Sequence, residues 1–246
     1  MKVRKKVISM MVAGALLVSL PFHAFAKDLD KEHVDYVALG DSLAAGKTPY
    51  GTEDKSYVDF LSERFEQSQY NIEVNNYGES GYKTTNVIDQ LYNPLNIEVQ
   101  NSIKEAELVT IDIGANDLLA HLQEIQADPT QATNVLREIG QNLFLILSKI
   151  DELNADTKVY VMGYYNPFPH YPEEEQAKLL PLLGALNETI ETVANQNGDV
   201  FVQTEKVIKK HEEDYVPNPM DIHLSQEGYQ IIAKEFWKAI MKNKNK

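Results

Sequence analysis

Short apolar runs alternate with amphipathic stretches along this chain. Residues 36–39, 72–76, 108–113, 159–163 and 200–203 read as strands, and most are the continuous apolar runs expected of strands buried on both faces. Residues 56–67 place Tyr57, Phe60, Leu61 and Phe65 on one helical face. Asp128-Pro129 supplies an N-cap and first-turn pair for a helix running to about residue 153. Ser225 can cap a last helix in which Tyr229, Ile232, Ala233 and Phe236 recur at helical spacing. This alternation predicts an α/β fold: a parallel sheet, helices on both faces, right-handed crossovers, and a ligand site beyond the carboxyl ends of the strands.

The first 26 residues break that rhythm. Lys2, Arg4, Lys5 and Lys6 precede an apolar run over residues 7–20, which ends near Ala24-Phe25-Ala26, a small-x-small cleavage pattern. Fourteen apolar residues are short of the roughly 20 needed to span a bilayer, so residues 1–26 are expected to be a cleaved signal peptide and the protein to be secreted. Residues 27–246 suffice for one domain, because a chain of this size buries about 70% of its unfolded surface. There is no cysteine to form a disulfide or carry a lipid. Removing the four basic residues with the leader takes the net charge from −14 to −18, which disfavours nucleic acid and anionic membranes as partners.

The segment YVALGDSLAAGKTPYG, residues 36–51, offers two chemistries. A phosphate loop needs glycine five residues before Gly46, but residue 41 is Asp, and Pro49-Tyr50-Gly51 follows where a helix should open. The alternative is that Gly40-Asp41-Ser42-Leu43 ends the first strand and exposes Ser42 as a nucleophile, which then needs a base and an oxyanion hole. Asn76-Tyr77-Gly78-Glu79-Ser80-Gly81 follows the second strand, and Gly114-Ala115-Asn116-Asp117 the third. A glycine lets the backbone approach a ligand closely, and an asparagine side chain can donate from its NH₂. Met220-Asp221-Ile222-His223 precedes the last helix. Ser80 is excluded as an α/β-hydrolase nucleophile, because Gly-x-Ser-x-Gly would need glycine at residue 82, which is Tyr.

These blocks, in this order along nearly the whole mature chain, resemble the SGNH (GDSL-type) esterase and lipase superfamily, in particular exported Gram-positive members. The resemblance implies a flavodoxin-like three-layer α/β/α sandwich with a five-stranded parallel sheet, and hydrolysis of acyl esters without a cofactor. It maps the nucleophile onto Ser42, the base onto His223, and the oxyanion donors onto the Ser42 and Gly78 amides and the Asn116 side chain. One position departs from the pattern. The family often places its acid three residues before the histidine, where this chain has Met220, so Asp221, two residues before, is the candidate. A backbone carbonyl or the more remote Asp214 could orient His223 instead.

Other polar residues carry less chemistry. His33, His121, His170 and His211 lack ligand spacing, and no metal site is expected. Asp117 is expected to cap the helix after the third strand, and the Asn187-Glu188-Thr189 sequon to lie on a helix surface. The leucines of residues 179–186 read as core packing or as one wall of an acyl pocket, which, with Tyr164, Tyr165 and Phe168, favours a small-molecule or lipid ester substrate. A carbohydrate O-deacetylase and a non-catalytic cell-wall-binding module on the same fold are the alternatives.

Overall fold

The computed structural model describes residues 31–244, so the expected leader lies outside the described residues. Five parallel strands, β1 (His33–Gly40), β2 (Asn71–Asn76), β3 (Leu108–Asp112), β4 (Lys158–Met162) and β5 (Val200–Val202), form a sheet in the order β2-β1-β3-β4-β5. The expected α/β architecture is therefore present, with the order reversing beside β1 and β3, where such sheets open a crevice. β3, the central strand, is buried at all five positions, as its uninterrupted Leu-Val-Thr-Ile-Asp run requires. β1 starts three residues before its apolar run, because pairing with β2 extends back to His33 opposite Asn71.

The helix Tyr57–Gln67 packs against Gln226–Lys244, where Tyr57 and Phe236 stack with centroids 4.8 Å apart. Its start is set by a capping box between Ser56 and Asp59. Gln131–Leu153 packs against Glu173–Asn197 as a second helix pair. The former begins two residues later than Asp128-Pro129 suggests, because Asp128 Oδ1 accepts the Thr130 amide (3.1 Å) and closes a turn ahead of the helix. Among the described residues, no helix is long and apolar enough to cross a membrane.

Register sets the site. Gly40 lies opposite Asp112 across β1 and β3, and Ala38 opposite Asn76 across β1 and β2, so the ends of all three strands converge. At the opposite end of β1, the ligand atoms of His33, Asp35 and Glu73 lie within 4.8 Å of one another, a grouping that their spacing in sequence hides. Both ring nitrogens of His33 are already engaged, by Asp35 and Asn71, each at 2.8 Å.

Candidate active site

Asp41 turns the chain out of β1. Its Oδ1 accepts the Leu43 amide at 3.0 Å and caps the four-residue helix Ser42–Ala45, so Ser42 stands at that helix's first position, above the ends of β1 and β3. The Ser42 side chain meets a residue 181 positions away: His223 Nε2 lies 2.8 Å from Ser42 Oγ. On the other side of the ring, His223 Nδ1 lies 2.7 Å from Asp221 Oδ1, the oxygen that also accepts the His223 backbone amide at 2.9 Å. That double acceptance explains how an acid only two residues before the histidine can orient it: the loop folds into a tight turn around one carboxylate oxygen. Asp214 faces His211 at 3.9 Å and is largely exposed.

The loop bearing Asp221 and His223 is tied on several sides. Asn218 donates to the Pro49 carbonyl (2.6 Å) and accepts the Met220 amide (3.0 Å), the Tyr165 hydroxyl donates to the Ile222 carbonyl (3.0 Å), and Tyr229 donates to the Lys47 carbonyl (2.6 Å). These bonds tie the loop and the helix after it to the segment that follows the Ser42 turn and to the loop after β4.

Of the expected oxyanion donors, the Gly78 amide already has an acceptor within the protein. The Gly78 amide donates to Asn76 Oδ1 (3.0 Å), and a Cβ on Gly78 would sit 2.4 Å from the Ala44 Cβ, so this glycine allows close packing against the helix Ser42–Ala45. Gly81, three residues on, has φ +87° with open space where a Cβ would lie, and among the described residues its amide has no protein acceptor. The adjacent Tyr82 carbonyl accepts one hydrogen of Asn116 Nδ2 at 2.9 Å, which leaves the second hydrogen of that NH₂ for a ligand. A positive φ at the second glycine of Gly-x-x-Gly has no local sequence mark, so spacing alone does not rank the two glycines.

Two other residues play roles that sequence reasoning missed. Asp117 does not cap the helix after β3; its carboxylate accepts the Thr84 amide (3.0 Å) and hydroxyl (2.6 Å), fastening the helix Thr84–Tyr92 beside the site. Asn187 is not a surface residue of its helix: its side chain accepts the Tyr164 amide (2.7 Å) and donates to the Tyr164 carbonyl (2.9 Å), clamping the loop after β4. A two-sided grip of this kind joins residues 23 apart and leaves no periodic signal.

Ser42, Asn116 and His223 open onto a cavity of about 770 Å³, part of it open to solvent. Leu118, Leu119 and Leu122 line it, together with Leu179, Leu183 and Leu186 of the helix Glu173–Asn197 and with Phe168. The wall read from residues 179–186 is therefore pocket and core at once, since Leu183 and Leu186 are also buried.

A parallel α/β sheet carrying a serine, histidine and aspartate in hydrogen-bonding sequence at its carboxyl edge defines a class of hydrolytic α/β proteins. The chain belongs to the GDSL-like lipase/acylhydrolase family, whose model matches residues 38–231. It is 28% identical over 227 residues to the uncharacterized protein YpmR of Bacillus subtilis, covering 86% of this chain and 83% of that one. In fold it is similar to the lipase Lip_vut3 from a goat rumen metagenome (TM-score 0.71, 23% identity, 85% of this chain and 97% of that one). It is also similar to Axe2, an acetylxylan esterase from Geobacillus stearothermophilus (TM-score 0.61, 18% identity, 85% and 94%). The expected superfamily and fold hold, and with them hydrolase chemistry.

Proposed function

We propose that this hydrolase is a secreted serine esterase acting on carboxylic esters with an apolar acyl group. The observation that carries the reading is the continuous contact Ser42 Oγ–His223 Nε2 and His223 Nδ1–Asp221 Oδ1 at the mouth of a leucine-lined cavity. His223 Nε2 takes the Ser42 proton as Oγ attacks the ester carbonyl, and the proton then passes to the departing alkoxide as the alcohol leaves. Water, deprotonated by the same imidazole, attacks the acyl-serine and returns Ser42 with release of the acid. Asp221 holds the ring so that Nε2 faces the serine, and it offsets the charge of the imidazolium. The Ser42 and Gly81 amides and Asn116 Nδ2 hold the oxyanion, with Gly81 in the place expected of Gly78.

The glycine assignment separates experimentally. Gly78→Ala is expected to lower Tm through its clash with Ala44, whereas Gly81→Ala leaves a folded protein whose kcat falls about tenfold or more at little-changed KM, because an alanine resists that φ and shifts the donor. Equal kcat for Gly81→Ala and wild type would return the role to another group.

Apolar walls favour an acyl chain over a sugar ring, which would call for more polar partners than the leucines here supply. Protein recovered from the culture medium, expected to start at Lys27, is to be assayed against p-nitrophenyl esters of increasing acyl length and against acetylated xylo-oligosaccharides. A kcat/KM that rises beyond the acetyl ester is the expected result. Highest activity on acetylated sugars would favour the O-deacetylase reading, and binding without turnover of any ester would favour the non-catalytic module.

A further inference from the structure

Below Ser42 the fold buries two carboxyl groups together. Asp112 ends β3 with no exposed surface, and Asp41 is only 2% exposed. Gly40, opposite Asp112, permits the approach, since a Cβ there would lie 2.4 Å from Asp112 Oδ1. No lysine or arginine pairs with either group among the described residues. The hydroxyls of Tyr57 and Tyr164 touch the pair, and Tyr36, Tyr165, Tyr229 and His223 lie near enough to interact with it electrostatically. Two adjacent carboxylates in such a place, with no cation, would each face the full cost of burial and the repulsion of the other.

The contacts divide the labour between the two. Asp112 Oδ2 accepts the amides of Asp41 (3.2 Å) and Ala44 (3.3 Å), which bracket Ser42, while Asp112 Oδ1 accepts the Tyr57 hydroxyl at 2.6 Å. Asp41 Oδ2 accepts the Tyr164 hydroxyl at 2.7 Å, and Oδ1 accepts the Leu43 amide. Resting on the reading of Ser42 as nucleophile, we propose that Asp112 is a positioning residue: a neutral carboxylic acid that shares its proton with the Asp41 carboxylate and holds the nucleophile turn from beneath by two amides. Burial, and then the charge of Asp41, push the Asp112 carboxyl well above the usual carboxylate range, while the Tyr164 bond and the Leu43 amide partly offset burial at Asp41. One proton shared between the two leaves a single negative charge under the serine, to which His223 is also electrostatically coupled.

A neutral acid can be replaced by an amide, but not by a methyl group. In Asp112→Asn the carbonyl oxygen can still accept the two bracketing amides and the NH₂ can donate to Asp41 as the acid proton does, while the Tyr57 hydroxyl, losing its acceptor at Oδ1, can turn to Thr110 Oγ1, 3.4 Å away. Asp112→Ala removes every one of these contacts, and the resulting displacement of Ser42 is expected to cost about 10²-fold in kcat with little change in KM. Asp112→Asn is expected to recover most of that loss. Infrared difference spectra at pH 8, where Asp199, pushed up to about 6, is ionised, should show a protonated-carboxyl band in wild type that disappears in Asp112→Asn. Asparagine as damaging as alanine, an alanine variant within about threefold of wild type, or no such band would overturn the proposal. The band does not depend on turnover, so it remains decisive if Asp112→Ala fails to fold. Loss of the nucleophile reading itself would appear separately, as an active Ser42→Ala enzyme.

Discussion

Ser42→Ala is expected to leave a folded protein whose ester turnover is reduced by about 10⁴-fold or more, as when a covalent nucleophile is removed from a working triad. Ser80, the other serine singled out in sequence, is engaged elsewhere: its hydroxyl donates to Glu53 at 3.3 Å. The residual rate would come from the oxyanion donors and the acyl pocket acting on water. Since Ser42 Oγ bonds chiefly to His223, with a long 3.5 Å approach to Asp41 Oδ1, its loss should cost little stability, and circular dichroism should match wild type. Retention of a tenth of wild-type kcat, or about that, would remove Ser42 from the chemistry.

The second large effect concerns the acid. Asp221→Asn is expected to lower kcat by about 10²- to 10⁴-fold, because the amide can present its NH₂ to the ring and favour the tautomer in which Nε2 carries the proton and cannot take one from Ser42. The Asp221 side chain is 26% exposed, so water screens part of its charge and the effect should fall below the upper end of that range. Asp214→Asn should stay within about threefold of wild type, since that carboxylate faces His211 on an exposed turn. Steady-state kinetics on the two variants beside His223→Ala check the assignment. If Asp221→Asn is mild while His223→Ala is inactive, the catalytic unit is a Ser42–His223 dyad.

Much of this site is legible in the order of residues alone, and for a physical reason. Ser42 and Asn116 follow apolar runs, and in a parallel sheet the residue after such a run stands at the carboxyl edge whatever the rest of the chain does. His223 precedes a helix whose apolar face is plain from its spacing, so its loop had to return over the sheet. The helices Thr84–Tyr92 and Ile97–Glu105 carry no comparable start signal, because neither opens on a residue whose own side chain caps it; Asp117, distant in sequence, serves the first. The helix Glu173–Asn197 contains Pro181, which locally reads as a break. The features with no mark in the sequence depend on register or on distant pairs: Asp112 beneath Asp41, the Asn187 clamp, and the different backbone geometries of Gly78 and Gly81. None of these follows from spacing along one segment.

Covalent trapping is the most direct measurement of the central claim, that Ser42 is a nucleophile activated by His223. A fluorophosphonate reacts only with a serine that can be deprotonated and whose phosphoryl adduct is held by oxyanion donors. Peptide mass spectrometry of the treated wild-type protein is predicted to find the adduct on the peptide containing Ser42, with labelling greatly slowed in His223→Ala and absent in Ser42→Ala. Full ester turnover in a protein whose Ser42 remains unmodified, or an adduct on a different serine, would contradict it.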